Sequence, residues 1–186
     1  MKTLNTIQTL SKIAKVFSNI IFIFSIVCLC LSIVGILSLA FSFESFKLGG
    51  VTINSLLTDK GNMAKGTIYA DLAQSIVYCI GALVLSKFAE KYFAKELKDG
   101  TPFTFDGAKD LLRLGILFIC IPIGAEIIAS IADSIIVKAF ADAKPSEFDA
   151  FGSIAIGVAF IIISLICKYG AEQFAIQNNT EHIEKE

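Results

Sequence analysis

Three carboxylates in this chain stand where a carboxylate is costly to keep. Asp71, Glu126 and Asp133 each lie inside a long apolar stretch, and no Lys or Arg shares their depth. Ionisable groups within a membrane span point first to ion or proton handling. Glu126 and Asp133 are seven residues apart, about two helical turns, so they share a face, with Ser130 between them. Asp71 carries Gln74 and Tyr78 at i+3 and i+7, again one stripe. At about 1.5 Å of rise per residue, Asp71 and Asp133 each fall roughly 10 Å from the centres of their helices, and Glu126 lies deeper.

Two readings of these groups stay open. In one, Asp71, Gln74, Glu126, Ser130 and Asp133 line a wet cavity that binds a cation or relays protons. In the other, Asp71 and Asp133 reach interfacial water, and Glu126 is neutral and bonds a hydroxyl or a backbone carbonyl freed near Pro122. Polar contacts of that kind between helices are worth about 0.6–2 kcal/mol.

Other chemistry finds little footing. His182 is the only histidine and lies in a polar tail, so no metal site is expected. Cys28, Cys30, Cys79, Cys120 and Cys167 all fall inside apolar stretches, where cysteine behaves as a small hydrophobe. No nucleophile with a base at working spacing occurs, so neither a catalytic residue nor a cofactor is assigned.

The elements that must position the acids are four apolar segments, roughly 16–41, 67–86, 111–137 and 151–167. Each is near or above the 18 or so residues that cross a hydrocarbon core about 30 Å thick. The 186 residues are 55% hydrophobic with a mean hydropathy of +0.73, which excludes an ordinary soluble domain. A net charge of −1 leaves no basic field for nucleic acid. The expected architecture is therefore a single all-α integral membrane domain, a bundle of four transmembrane helices at about 16–41, 67–98, 107–140 and 150–174, with an acidic polar tail at 175–186. The apolar run of the first segment is too long for a signal peptide and reads as a retained helix. Residues 1–15 read as an interfacial lead-in, with Leu4, Ile7, Leu10 and Ile13 at helical spacing.

The connectors add detail. Between the first two helices, Phe46 to Ile53 alternates around Gly49-Gly50, which predicts a short extracellular β-hairpin, with a turn at 58–62. The second helix runs past the membrane with Lys87, Lys91, Lys95 and Lys98 on it, and Asp99-Gly100 with Pro102 ends it. Asp106 is a candidate N-cap for the third helix. Pro122 interrupts that helix and predicts a kink, because it lacks the N–H that the Phe118 carbonyl needs. A turn at 141–149 leads to the fourth helix, where Ser153 and Gly157 form a small-xxx-small face, as Ala125 and Ala129 do on the third.

Lys and Arg set the orientation. Lys2, Lys12, Lys15, Lys87, Lys91, Lys95, Lys98, Lys109, Arg113, Lys168 and Lys185 fall on one side of an alternating four-helix chain. Lys47, Lys60, Lys65, Lys138 and Lys144 fall on the other. The excess places both termini and the central connector in the cytoplasm. The cluster Lys87, Lys91, Lys95 and Lys98 is then either a solvated helix end or a contact for anionic lipid or a cytoplasmic partner.

Two stretches carry a family resemblance. Leu97-Lys98-Asp99-Gly100-Thr101-Pro102-Phe103-Thr104 leads into Asp106 to Gly115, and Cys167-Lys168-Tyr169-Gly170-Ala171-Glu172 stands at the end of the last apolar segment. Together they resemble the domain-of-unknown-function 2975 family of bacterial four-helix membrane proteins, across essentially the whole helix layout. The tail departs from the pattern, ending Ile183-Glu184-Lys185-Glu186 where similar proteins close on an apolar pair. The resemblance implies a multi-pass protein of the bacterial cytoplasmic membrane with no assigned activity. Genes of similar proteins often neighbour small helix-turn-helix regulators, which implies an accessory or regulatory role. The expectation is thus a non-enzymatic membrane protein acting through its cytoplasmic connector. The alternative is a small cation- or proton-coupled transporter or channel subunit that uses the acids. Candidate partners are the lipid bilayer, a cytoplasmic regulatory protein and a second copy of the chain, with no direct nucleic acid.

Overall fold

The computed structural model describes residues 2–41, 47–48, 51–52, 65–101, 103–140 and 151–183. Four helices carry almost all of them: α1 (Lys2–Phe41), α2 (Lys65–Asp99), α3 (Phe105–Ala139) and α4 (Phe151–Ile183). All four contain stretches long and apolar enough to cross a membrane, as expected of a multi-pass membrane protein. The residues expected to form an interfacial lead-in are the first turns of α1, and α4 continues to Ile183 through much of the stretch read as a polar tail. The turns expected at 58–62 and 141–149 lie outside the described residues.

The predicted β-hairpin has to be corrected. Among the described residues, strand pairing is confined to β1 (Lys47–Leu48) and β2 (Val51–Thr52), in the antiparallel register Lys47↔Thr52 and Leu48↔Val51. Two residues a side fall short of an ordinary strand, and an isolated pair of that length has little stability of its own. The architecture is all-helical, and no hairpin layer belongs to it.

Helix ends follow local chemistry. Gly100 has φ of 76° and its N–H donates to the Glu96 carbonyl at 3.0 Å, so α2 ends in a left-handed residue that glycine adopts without strain. The N-cap of α3 is Thr104 rather than Asp106: its Oγ1 accepts from the Gly107 N–H at 2.9 Å. Asp106 stands instead in the first turn, where a negative charge suits the helix dipole. The helix α3 is continuous through Pro122.

The fold divides into two compact units: Met1–Ile21, Val84–Ile121 and Phe151–Glu186 form the first, Phe22–Leu83 and Pro122–Ala150 the second. In the first unit Ala89, Tyr92, Ala108, Leu111, Leu114 and Cys167 make a buried cluster, with Phe93, Phe103, Phe118 and Phe160 packed on it. There α3 and α4 meet at Gly115 and Gly157. A Cβ on Gly157 would stand 2.6 Å from Ile119 Cγ1 and 2.8 Å from the Gly115 carbonyl oxygen. The Ser164 hydroxyl ties the same helices by donating to the Ala108 carbonyl at 3.0 Å. Among the described residues of the second unit the buried ones include Ser25, Ser32, Gly35, Ser38, Ile68, Ala70, Gln74, Ala125, Ala129 and Asp133, and Ile68 is the one branched aliphatic side chain buried there.

The helix α1 shows the principle most plainly. Among its residues with described side chains, every buried one is serine or glycine: Ser11, Ser18, Ser25, Ser32, Gly35 and Ser38. Phe17, Ile20, Ile23, Phe24 and Leu31, by contrast, are more than half exposed. A soluble monomer does not present so continuous an apolar surface to water. In lipid that surface is solvated, and helices associate through small residues and hydrogen bonds instead.

Substituting Gly157→Val forces the α3–α4 approach apart and is expected to cost about 1–3 kcal/mol, measured as a lower melting temperature in detergent. Gly124→Val is the control, since a Cβ there meets nothing within 4 Å. Equal losses in both variants would show that the close approach is not what matters.

Candidate functional site

Within the second unit the intramembrane acids are only partly gathered. The Tyr78 hydroxyl donates to Glu126 Oε2 at 2.5 Å, joining α2 to α3. Tyr78 also hydrogen-bonds Gln74, which is 7% exposed, and lies within electrostatic reach of Asp133, also 7% exposed. Gln74, Tyr78 and Glu126 therefore form one polar cluster, with the buried Asp133 two turns further along α3. The helical period explains the pairing: Gln74 and Tyr78 are one turn apart on α2, and Glu126 and Asp133 two turns apart on α3.

The other two expected members stand outside it. Asp71 is exposed and makes no hydrogen bond or ion pair among the described residues. Ser130 is exposed too, and its carbonyl accepts from the Ser134 hydroxyl at 2.8 Å. Glu126, Ser130 and Ser134 border an open groove of about 430 Å³ with Ile127, Ile131 and Ile135. This groove runs along a single helix and is not an enclosed cavity.

Beside the cluster runs a second polar seam. The Ser32 hydroxyl lies 3.0 Å from Ser75 Oγ and 2.9 Å from the Cys28 carbonyl, pinning α1 to α2. Sequence reasoning did not single out the α1 serines, although Ser11, Ser18, Ser25 and Ser32 recur every seven residues. A seven-residue repeat of one small polar type is the signal that would have marked the buried face. Among the described residues no group of three His, Cys, Asp or Glu could hold a metal ion.

The first unit gathers the other candidates around the connector between α2 and α3. The Gln8 amide donates to the Gly100 carbonyl at 3.3 Å, so the start of α1 is tied to the end of α2. Phe103 packs into the space left by Gly170, where a Cβ would come within 2.8 Å of its ring. The two stretches that carry the family resemblance thus touch each other, through Phe103 and Gly170.

Charge is unevenly shared at this end. Lys95 donates to Asp110 Oδ2 at 2.6 Å, and Arg113 lies 3.5 Å from Oδ1 of the same carboxylate. Lys87 pairs with Glu90 at 2.9 Å. Lys91 and Lys98 are exposed and form no ion pair among the described residues. All these pairs are partly in solvent, where screening keeps them weak, so they orient side chains more than they stabilise the fold.

The chain matches no family model, and neither curated proteins nor solved structures give a match.

Tyr78→Phe removes the donor to Glu126 and is expected to lower stability in detergent by about 0.6–2 kcal/mol. In a double-mutant cycle with Glu126→Gln, the two changes should be less than additive. Full additivity of the melting shifts would show that the two side chains do not act together.

Proposed function

We propose that this chain is a multi-pass protein of the bacterial cytoplasmic membrane, with both termini and the α2–α3 connector in the cytoplasm. It has no enzymatic activity of its own and acts as an accessory or regulatory component through the connector end. The orientation is supported by the eleven-to-five distribution of Lys and Arg. The role is supported chiefly by one observation: the connector is a fixed platform. Gly100 caps α2, Thr104 caps α3, Gln8 clasps Gly100 and Phe103 is seated on Gly170. A loose tether between two helices needs none of these contacts. Membership of the domain-of-unknown-function 2975 family is part of the same proposal and rests on the two motif stretches that meet there. On this reading the partner is a cytoplasmic protein that meets the connector between α2 and α3. Cross-linked complexes recovered from membranes should fall severalfold when Phe103→Ala empties the seat at Gly170, and equal recovery would overturn the partner reading.

A second reading is favoured by the cluster Gln74, Tyr78 and Glu126, together with Asp133. A half-buried acid bonded across two helices, with a buried acid two turns further along, suits a cation- or proton-coupled transporter or channel subunit. In proteoliposomes such a protein would carry a proton or sodium flux that Glu126→Gln with Asp133→Asn abolishes while the protein still folds. Absence of flux in the wild type would leave the cluster as a structural link between α2 and α3.

A further inference from the structure

A groove of about 470 Å³ opens between the charged end of α2 and the first turns of α3, within the first unit. Its floor is apolar, made by Phe88, Tyr92 and Leu114. Its rim carries Lys91, Lys95, Lys98 and Arg113, with Asp110 as the one acid among the lining residues. Lys95 and Arg113 share Asp110, and Asp99 and Asp106 also lie within electrostatic reach of Lys95, so the four rim cations keep a small excess of positive charge. Lys91, Lys95 and Lys98 form one helical stripe spanning roughly 10 Å. That span exceeds a single phosphate group and suits a headgroup with more than one anionic site, or two neighbouring headgroups.

Depth decides what can enter. On α2 the change from apolar to charged falls between Ser86 and Lys91, and on α3 between Arg113 and Leu114. The groove therefore lies at the height where a bilayer passes from acyl chain to headgroup. Phe88 on the floor is 49% exposed, and Val84, one turn before it on α2, and Ile116, about one turn past Arg113 on α3, are 39% and 46% exposed, an apolar surface that suits lipid tails. A planar guanidinium such as that of Arg113 binds phosphate in two-pronged fashion, and flanking lysines add point charges. We infer that this groove is a binding site for an anionic phospholipid, with phosphate on Lys91, Lys98 and Arg113 and acyl chains against Phe88 and its neighbours. The inference rests on the reading of the connector end as the working end and names lipid as what its groove holds.

The test is native mass spectrometry of the purified full chain in a neutral detergent, titrated separately with cardiolipin, phosphatidylglycerol and phosphatidylcholine. Micelles have no sides and no cytoplasmic protein is present, so the result is independent of membrane orientation and of any protein partner. Lys91→Gln with Lys98→Gln leaves the Lys95–Asp110 pair intact, and Arg113→Gln is a second, separate variant. Lys65→Gln with Lys138→Gln, at the first residue of α2 and in the last turn of α3, removes equal charge elsewhere. Cardiolipin and phosphatidylglycerol should be retained over phosphatidylcholine, with roughly tenfold or greater loss in Lys91→Gln/Lys98→Gln, a smaller loss in Arg113→Gln and none in the control pair. Equal retention of phosphatidylcholine would overturn the site, as would anionic lipid binding unchanged in both groove variants or weakened alike in the control. A polypeptide cross-linking to Lys91 and Lys98 in native membranes in place of lipid would overturn it too, and assign the groove to a protein.

Discussion

Lipid tails are as apolar as leucine, so burying a leucine between two helices in a membrane yields no hydrophobic gain. The packing of the membrane-spanning stretches depends on that constraint. Helices can then be held only by close backbone approach and by polar bonds that hydrocarbon cannot replace. The chain meets both needs. Gly115 and Gly157 bring α3 and α4 into backbone contact, and Gly35 of α1 is packed against Leu72 of α2, which a Cβ there would meet at 3.1 Å. Ser32 with Ser75, Ser164 with Ala108 and Tyr78 with Glu126 supply bonds between helices. The large apolar side chains, freed from the interior, cover the outside.

The same constraint gives the polar cluster its double character. A carboxylate that joins two helices is useful as a link and also able to handle a proton or a cation. Glu126 is held by Tyr78, and Asp133 is buried one heptad further along α3. In water such a bond would compete with solvent. In a hydrocarbon surrounding, the alternative to pairing is an unsatisfied polar group.

The connector end obeys ordinary aqueous rules instead. Its core contains Leu111, Leu114 and Tyr92, its helix termini are capped, and its ion pairs are solvated. The groove between α2 and α3 belongs to both regimes, apolar on its floor and cationic on its rim. A ligand with an anionic head and apolar tails has that same division.

Much was legible from residue order alone. The four apolar segments, the glycine that ends α2, the restart of helix before Gly107 and the asymmetry of Lys and Arg are local or compositional, and they need no knowledge of neighbours. The Gly49-Gly50 alternation overreached, because among the described residues only Lys47–Leu48 and Val51–Thr52 pair, too few to make a hairpin layer. What only the tertiary structure decided is which face of each helix is inside. In a soluble helix the apolar stripe gives that answer, but α1 is apolar on nearly every side. Its buried face is marked by Ser11, Ser18, Ser25 and Ser32, and the packing of the helices turned that face inward. Asp71 shows the same limit from the other direction. It has the helical spacing to join Gln74 and Tyr78, yet it is exposed, because spacing fixes which residues of one helix share a stripe and only the neighbouring helix fixes where that stripe is covered.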